Sequence, residues 1–423
     1  MKKKTIGLFA VLLWTCINVS AQETFKVMFY NLLNYPNEDA VPNRIDDLDL
    51  ILSDYQPDLF LVCELNNITG ANDVLNITKT AISTSFEMAS YVSNTSDDNS
   101  GNSNELQNLL YYDTSKFTLE EEVIVPTDLR DFNIYRLQLK TVDQATNPID
   151  LYVVVCHLKA STGVVNENRR FNMILNLENY LDTLPADANV ILGGDLNVYS
   201  ASEPAFQELI DDINHITFVD PPNRIGAWNN NPNFVDVFTQ STRTQSNLGG
   251  AGGGMDSRFD FLLTSENMIG MSTINYVTDS FQAYGNNGFG ACYNSAINSS
   301  NCGNASSTYS FAIRDALHDF SDHLPVTLSL EANVTLSIDQ ESLLSQNLSL
   351  DKTVIDEELT INYSSEYFGR TLKIHDQLGK HISTTYLNDN HKHTINTTEL
   401  VNGIYFISIQ GKKNENLKFI VKH

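Results

Sequence analysis

The stretch "NVILGGDLN", residues 189–197, is an apolar run that stops on an acid and an amide. Val190, Ile191 and Leu192 read as a strand, with Asp195 and Asn197 at its end. Two apart in an extended segment, those side chains face the same way. Other segments share this form. "FKVMFYN" ends at Asn31, "PDLFLVCE" at Glu64 and "LYVVVCH" at His157. In "DFLLT" the acid, Asp260, comes first, and "SDHLPVTLSL" starts with Asp322 and His323. Pro325 biases Leu324 toward an extended backbone and cannot donate a ladder hydrogen bond, so it suits the first residues of a strand. If the late strands run antiparallel to the early ones, all these polar residues meet at one rim.

Between the strands lie amphipathic stretches. "RIDDLDLILSDY" (44–55) and "NENRRFNMILNLENYLDTL" (166–184) carry apolar residues at helical spacing. Continuous apolar strands alternating with helices imply an α/β fold whose sheets are covered by helices. Residues 196–256 and 281–310 are polar and loop-rich, a type of insertion that often carries function.

At 423 residues the chain exceeds one typical domain. It opens with Lys2, Lys3 and Lys4, an apolar run, and small residues at Ser20 and Ala21. That is the pattern of a secretory signal over 1–21, cut after Ala21. Cys16 follows Thr15, which makes a poor lipoprotein box. No later segment is long and apolar enough to span a bilayer. An exported chain can hold disulfides, and Cys292 and Cys302 lie close together in a Gly/Asn/Ser-rich loop, so a bridge is expected there. Cys63 and Cys156 sit inside apolar runs and read as buried free thiols. The expected layout is 22–331 as the catalytic domain, 332–345 as a linker and 346–423 as a small β-sandwich of short alternating strands. The histidines of that last region are scattered, and "HKH" (391–393) has no known ligand spacing.

The formal charge of −26 disfavours loose, salt-driven binding to nucleic acid, which needs basic patches. It says nothing against a cleft that holds a cation. Serine-nucleophile and phosphate-loop motifs are absent. Carboxylates, amides and imidazoles without a nucleophile point to metal-assisted attack by water. A hard divalent cation takes oxygen ligands such as Glu64, Asp322 and the Asn31 amide oxygen. A neutral imidazole can take a proton from water, and an acid such as Asp260 can fix its tautomer.

"VCEL", "CHLKAS", "GGDLN", "RFDFLL" and "SDHLPV", in this order, resemble the endonuclease/exonuclease/phosphatase superfamily over roughly residues 25–331. The resemblance implies a four-layer α/β sandwich with two central mixed β-sheets and the site at one rim. It implies Glu64 as principal Mg²⁺ ligand, with Asn31 and Asp322 assisting; Mn²⁺ and a structural Ca²⁺ are alternatives. His323 becomes the base or a phosphate contact, oriented by Asp260. Asp195 and Asn197 position water and phosphate, and His157 contacts phosphate or protonates the leaving group. Looser alignment puts a phosphate-binding arginine at Arg130 and a further contact at Asn108. The glutamate that backs the first histidine in some secreted nucleases falls at Leu110.

The C-terminal "LVNGIYFISIQGKKNENLKFIVKH" is similar to the sorting domain of type IX secretion, although the usual "YPNP" opening is missing. The chain therefore reads as a monomeric, secreted or surface-displayed phosphodiesterase, a nuclease for extracellular DNA or RNA. The competing readings are a phosphatase, a sphingomyelinase-like enzyme whose only obvious membrane-contacting residues are Trp228 and Phe234, and an inactive binding module.

Overall fold

The computed structural model describes residues 22–101, 105–334, 336, 348–388, 390–409 and 412–423. The expected leader, with Cys16, lies outside the described residues, as does most of the expected linker. The chain divides into two compact units, Met1–Ser337 and Ile338–His423.

The first unit holds two mixed sheets. β1 (Gln22–Tyr35), β2 (Leu59–Leu65), β3 (Phe86–Met88) and β4 (Gln107–Asp113) begin the first sheet. β5 (Phe117–Val125), β6 (Phe132–Leu139), β7 (Asp150–His157), β8 (Val190–Asp195), β9 (Phe218–Val219) and β10 (Asp260–Ser265) form the second. β11 (Ile274–Tyr276), β12 (Gln282–Ala283) and β13 (Val326–Asn333) return to the first. Helices α1 (Arg44–Tyr55), α2 (Ile68–Ala81), α3 (Val164–Leu181), α4 (Pro204–Leu209) and α5 (Phe311–Phe320) lie between strands.

Alternation along the strands builds the layers. In β7, Val153 and Val155 join an apolar cluster shared with Phe29, Leu61 and Leu109 of the first sheet. Val154 and Cys156 point the other way, onto Met173, Ile174 and Leu177 of α3. Leu48 and Ile51 of α1, Val74 of α2 and Leu317 of α5 belong to the cluster of the first sheet. The result is a four-layer α/β sandwich, whose central strands such as β2 and β8 are buried on both faces and so mostly apolar.

Strand direction makes the rim. β1 runs parallel to β2, and β7 runs parallel to β8 with His157 beside Asp195. β10 runs antiparallel to β8, pairing Asp260 with Asp195, and β13 runs antiparallel to β1. Ends of early strands and starts of late ones therefore meet, the condition that the sequence pattern required. The two glycines before Asp195 have a packing reason. A Cβ on Gly193 would lie 2.6 Å from Leu61 Cδ2 across the sheet interface, and one on Gly194 would strike the Cys156 sulfur. Gly193 lets the two sheets close tightly beneath the site, and Gly194 leaves room for the neighbouring strand's thiol on the α3 face.

Cys292 and Cys302 are disulfide-bonded, while Cys63 and Cys156 are free and buried. Among the described residues, the second unit is built of strands, with one short helical turn at Ser365–Tyr367. Leu348–Leu350, Glu358–Tyr363 and Lys392–Asn396 form one sheet. Val354–Ile355, Lys412–Val421, Gly403–Ile409, Thr371–Asp376 and His381–Tyr386 form the other. Leu359 and Ile361 of one share an apolar core with Leu372, Ile374 and Ile407 of the other.

Candidate active site

Glu64 sits in a break in the pairing of β2 with both its neighbours. Its backbone is left-handed, with φ 61°. Such a conformation costs a glutamate about 1–2 kcal/mol. The break turns its carboxylate toward the rim, where Asn34 N–H donates to Oε2 at 2.9 Å. Leu33 (φ 47°) and Asn34 (φ 49°) form the facing turn. Buried Arg44 secures that turn by donating to the carbonyls of Leu32, Leu33 and Phe320.

Asn31 Nδ2 donates to Glu64 Oε1 (3.0 Å) and to Asp195 Oδ2 (3.2 Å). Its oxygen, the atom a ligand role needs, accepts from Leu33 N–H at 3.0 Å. As placed, Asn31 clamps two carboxylates across the two sheets. Asp195 Oδ1 accepts from Asn197 N–H at 3.1 Å, and Asn197 Nδ2 reaches the Leu158 carbonyl at 3.3 Å. Asn197 is itself left-handed, φ 51°, so "GDLN" is a shaped turn at a strand end.

The histidines flank Asp195. His157 Nε2 lies 3.4 Å from Asp195 Oδ2 and 3.9 Å from Glu64 Oε1. His157 Nδ1 is buried without a hydrogen-bond partner, and Leu110 is core. His323 Nε2 lies 3.9 Å from the same Asp195 oxygen, and its Nδ1 meets Asp260 Oδ2 at 2.8 Å. Gln240, which the sequence reading missed, puts Nε2 2.7 Å from His323 Nε2 and 3.1 Å from Asp322 Oδ2. The first contact needs one donor and one acceptor. Either the amide donates to a neutral imidazole, or it is turned over and accepts from an imidazolium. Gln240 comes from an aperiodic loop, so no sequence pattern points to it. Asp322 Oδ2 also accepts from Ala251 N–H at 2.7 Å, from the glycine-rich loop.

Burial governs the electrostatics. It pushes the Glu64 carboxyl up, and Asp322 adds to that, while the Asn31 hydrogen bond and His323 oppose it. Asp195 is raised to about 7 by burial against the pull of His323, with Asp260 and Glu64 adding to the rise. Burial also drives His157 well below the usual imidazole range, helped by Arg130, His323 and Lys159. Burial acts on His323 in the same sense, but Asp260, Asp322 and Asp195 overcome it and hold His323 well above that range.

The donor set fits a divalent cation. Ligand atoms of Glu64, His157 and Asp195 lie within 4.8 Å of one another, as do those of Asp195, Asp260 and His323. Asp260 Oδ1 and Asp322 Oδ1 are buried with no hydrogen-bond partner. Crowded, unsatisfied carboxylates want positive charge. Among the described residues, no such group occurs in the C-terminal unit, where His393 Nε2 pairs with the Thr385 hydroxyl.

Arg130 and Asn108 lie beneath the rim. Arg130 is buried and donates to the carbonyls of His157 (3.1 Å) and Leu158 (2.9 Å). Asn108 Nδ2 donates to Asp131 O, Asn133 Oδ1 and Val155 O, leaving only its acceptor oxygen uncommitted. An acceptor does not suit a phosphate oxygen, so this placement gives Asn108 a supporting task. Trp228 is fully buried against Phe206 and Phe261, which removes it as a membrane-contacting residue.

Residues 355–423 match the family model described as the secretion system C-terminal sorting domain. That domain directs export through type IX secretion, to the cell surface or the medium. No helix among the described residues is long and apolar enough to cross a membrane. The chain matches none of the curated proteins. Solved structures similar to it include the human Nocturnin catalytic domain with bound sulfate, at 14% identity and TM-score 0.44 over 73% of this chain and 94% of that one. Another is D. rerio TDP2 complexed with single-strand DNA product, at 17% identity and TM-score 0.45 over 73% and 98%. A third is the endonuclease/exonuclease/phosphatase from Bacteroides vulgatus, at 12% identity and TM-score 0.45 over 73% and 99%.

Proposed function

We propose that the first unit is a divalent-metal-dependent phosphodiesterase, a nuclease acting on DNA or RNA outside the cell. One observation carries this reading: Glu64, His157, Asp195, Asp260 and His323 converge on one buried rim, with carboxylate oxygens left unsatisfied. Glu64 and Asp322 would hold Mg²⁺, or Mn²⁺ in its place, and Asn31 joins them only with its amide turned over. When bound, the cation supplies charge neutralisation at the phosphate and offsets the carboxylate field that holds His323 protonated.

The protein's own groups do the rest. Asp260 holds the Nδ1 side of His323, so Nε2 faces the rim to move a proton. Asp195 and Asn197 orient water and one phosphate oxygen. His157, buried and uncharged, contacts phosphate, and it can serve the leaving oxygen as an acid only after taking up a proton. Arg130 adds fixed positive charge below them. Every one of these groups comes from one chain, so a monomer suffices. The leader over 1–21, removed after Ala21, belongs to the same proposal.

The test uses the full chain with supercoiled DNA, RNA, sphingomyelin and inositol phosphates, in Mg²⁺, Mn²⁺ or EDTA. The expected result is metal-dependent cleavage of nucleic acid, lost in EDTA and lowered at least about a hundredfold by Glu64→Ala or His323→Ala. Cleavage of no substrate, or cleavage indifferent to both substitutions, overturns it.

A further inference from the structure

The rim is electrically lopsided. On the His323 side stand Asp260, Asp322 and, against Gly249 of the glycine-rich loop, Glu38; the cations behind them, buried Arg44 and Arg243, are committed to backbone carbonyls. On the His157 side stand Arg130, Lys159 and Arg169, in a chain of charge −26. Two of these cations are committed. Arg169 is paired with Asp128 (2.7 Å) and Asp98 (3.0 Å), and buried Arg130 supports the loop carbonyls. Lys159 is different. Its ammonium donates to the Ala160 carbonyl at 2.9 Å and, among the described residues, forms no ion pair. Asp98, which bears on it electrostatically, is already held by Arg169.

The loop that carries Lys159 is built rigidly. Arg130 holds the carbonyls of His157 and Leu158 from one side. Arg170, fully buried and neutralised by Glu203 at 2.6 Å, holds those of Lys159 (2.7 Å) and Ser161 (2.9 Å) from the other. Asn197 binds the Leu158 carbonyl as well. So the backbone two residues beyond His157 is fixed by three separate side chains, while Lys159 stays partly exposed and its ammonium has donors to spare. Arg169, Arg130 and Arg170 crowd the same side of the rim, and an anion settling at the lysine head relieves this crowding.

We infer that Lys159 binds the phosphate next to the scissile one, so that the substrate is a nucleic-acid strand with consecutive phosphates, running over the His157 side of the rim. This rests on the phosphodiesterase reading and deepens it. A strand crossing the other side would meet Asp322 and Glu38 instead.

The experiment compares the full chain with its Lys159→Gln and Lys159→Arg forms. The substrates are a thymidine trinucleotide, the dinucleoside monophosphate TpT and bis(p-nitrophenyl) phosphate, at 50 to 300 mM salt. The native chain is expected to prefer the trinucleotide over TpT, and Lys159→Gln to lose about tenfold of that preference, the worth of one charge-assisted contact. The slope of log kcat/KM against log salt for the trinucleotide flattens by about 0.7, one phosphate contact on a single strand. Lys159→Arg restores both. Equal melting temperatures exclude a folding defect. Failure of the native chain on all three esters sinks the phosphodiesterase reading. Native activity with an unchanged slope and preference in Lys159→Gln sinks only the lysine contact. So does a Lys159→Arg form as impaired as Lys159→Gln.

Discussion

His157 and His323 are the same residue type, both buried at strand ends, and both within 4 Å of one oxygen of Asp195. Their surroundings are opposite. His157 is held uncharged by burial first, helped by the cations nearby, and has no partner on Nδ1. His323 is backed by Asp260 and faces further acids, so it holds its proton. Two imidazoles whose proton affinities are driven apart can serve as donor and acceptor in one reaction. The difference comes from the β-topology, which sets Asp260 beside His323 and Arg130 beneath His157. Proximity in sequence would not reveal it.

The largest test removes one member of the pair. His323→Ala is expected to lower kcat by about 10²–10⁴, within the usual worth of a positioned proton carrier, and steady-state kinetics measures it. If His157→Ala costs as much at every pH, the two histidines act as one unit and the comparison loses its force. Next, Asp260→Asn keeps shape and removes charge. We expect a loss of about a hundredfold and a lower titration point for His323 by NMR. A His323 that titrates as before would show that Asp260 does not set its charge.

Metal binding should then depend on pH in a definite direction. Asp195 sits near 7, and Glu64 is raised too, so protons compete with the cation. Mg²⁺ affinity by calorimetry is expected to rise by about fivefold between pH 6 and 7 for a competing proton that titrates near 7, with proton release. A flat profile would place the cation elsewhere.

A smaller effect concerns the metal-free protein. His157 is depressed when folded and ordinary when unfolded. The unfolded chain takes up a proton first, so stability falls as pH drops below about 6.5. His323 is raised when folded, so its stabilisation is complete at acid pH and is lost as pH climbs through its folded value. Urea melts from pH 5 to 8 should show His157→Gln losing less stability on acidification than the native chain. Smallest is a shift without loss of fold: Arg130→Gln should raise the His157 titration point, because the guanidinium depresses it.

The rim could be read from sequence because each of its side chains borders a short apolar run. Glu64, His157, Asp195, Asn197, Asp260, Asp322 and His323 stand near where a strand starts or stops, while Asn31 stands where β1, which runs on to Tyr35, shifts register with β2. Helices at 44–55 and 166–184 announced themselves by periodicity; the second begins at Val164 and ends at Leu181. What stayed hidden depends on tertiary geometry. The left-handed backbone of Glu64 follows from a break in pairing between strands distant in sequence. Gln240 reaches His323 from a loop 83 residues away. Trp228, taken from its Asn-rich surroundings as a surface residue, is drawn inward by two phenylalanines. In the C-terminal unit, His381–Tyr386 is largely exposed, so alternation there pairs polar with polar and leaves no strand signal.

One plain feature bears on how such a protein survives its journey. Cys63 and Cys156 each lie one residue before a rim side chain, Glu64 and His157. Both thiols are buried and pushed up in pKa, by loss of water and by the carboxylates beyond. A thiol that cannot ionise does not exchange. In the oxidising space outside the cytoplasm, that leaves Cys292 and Cys302 with each other as partners. Once the strands close, the four cysteines Cys63, Cys156, Cys292 and Cys302 have only one pairing left to make.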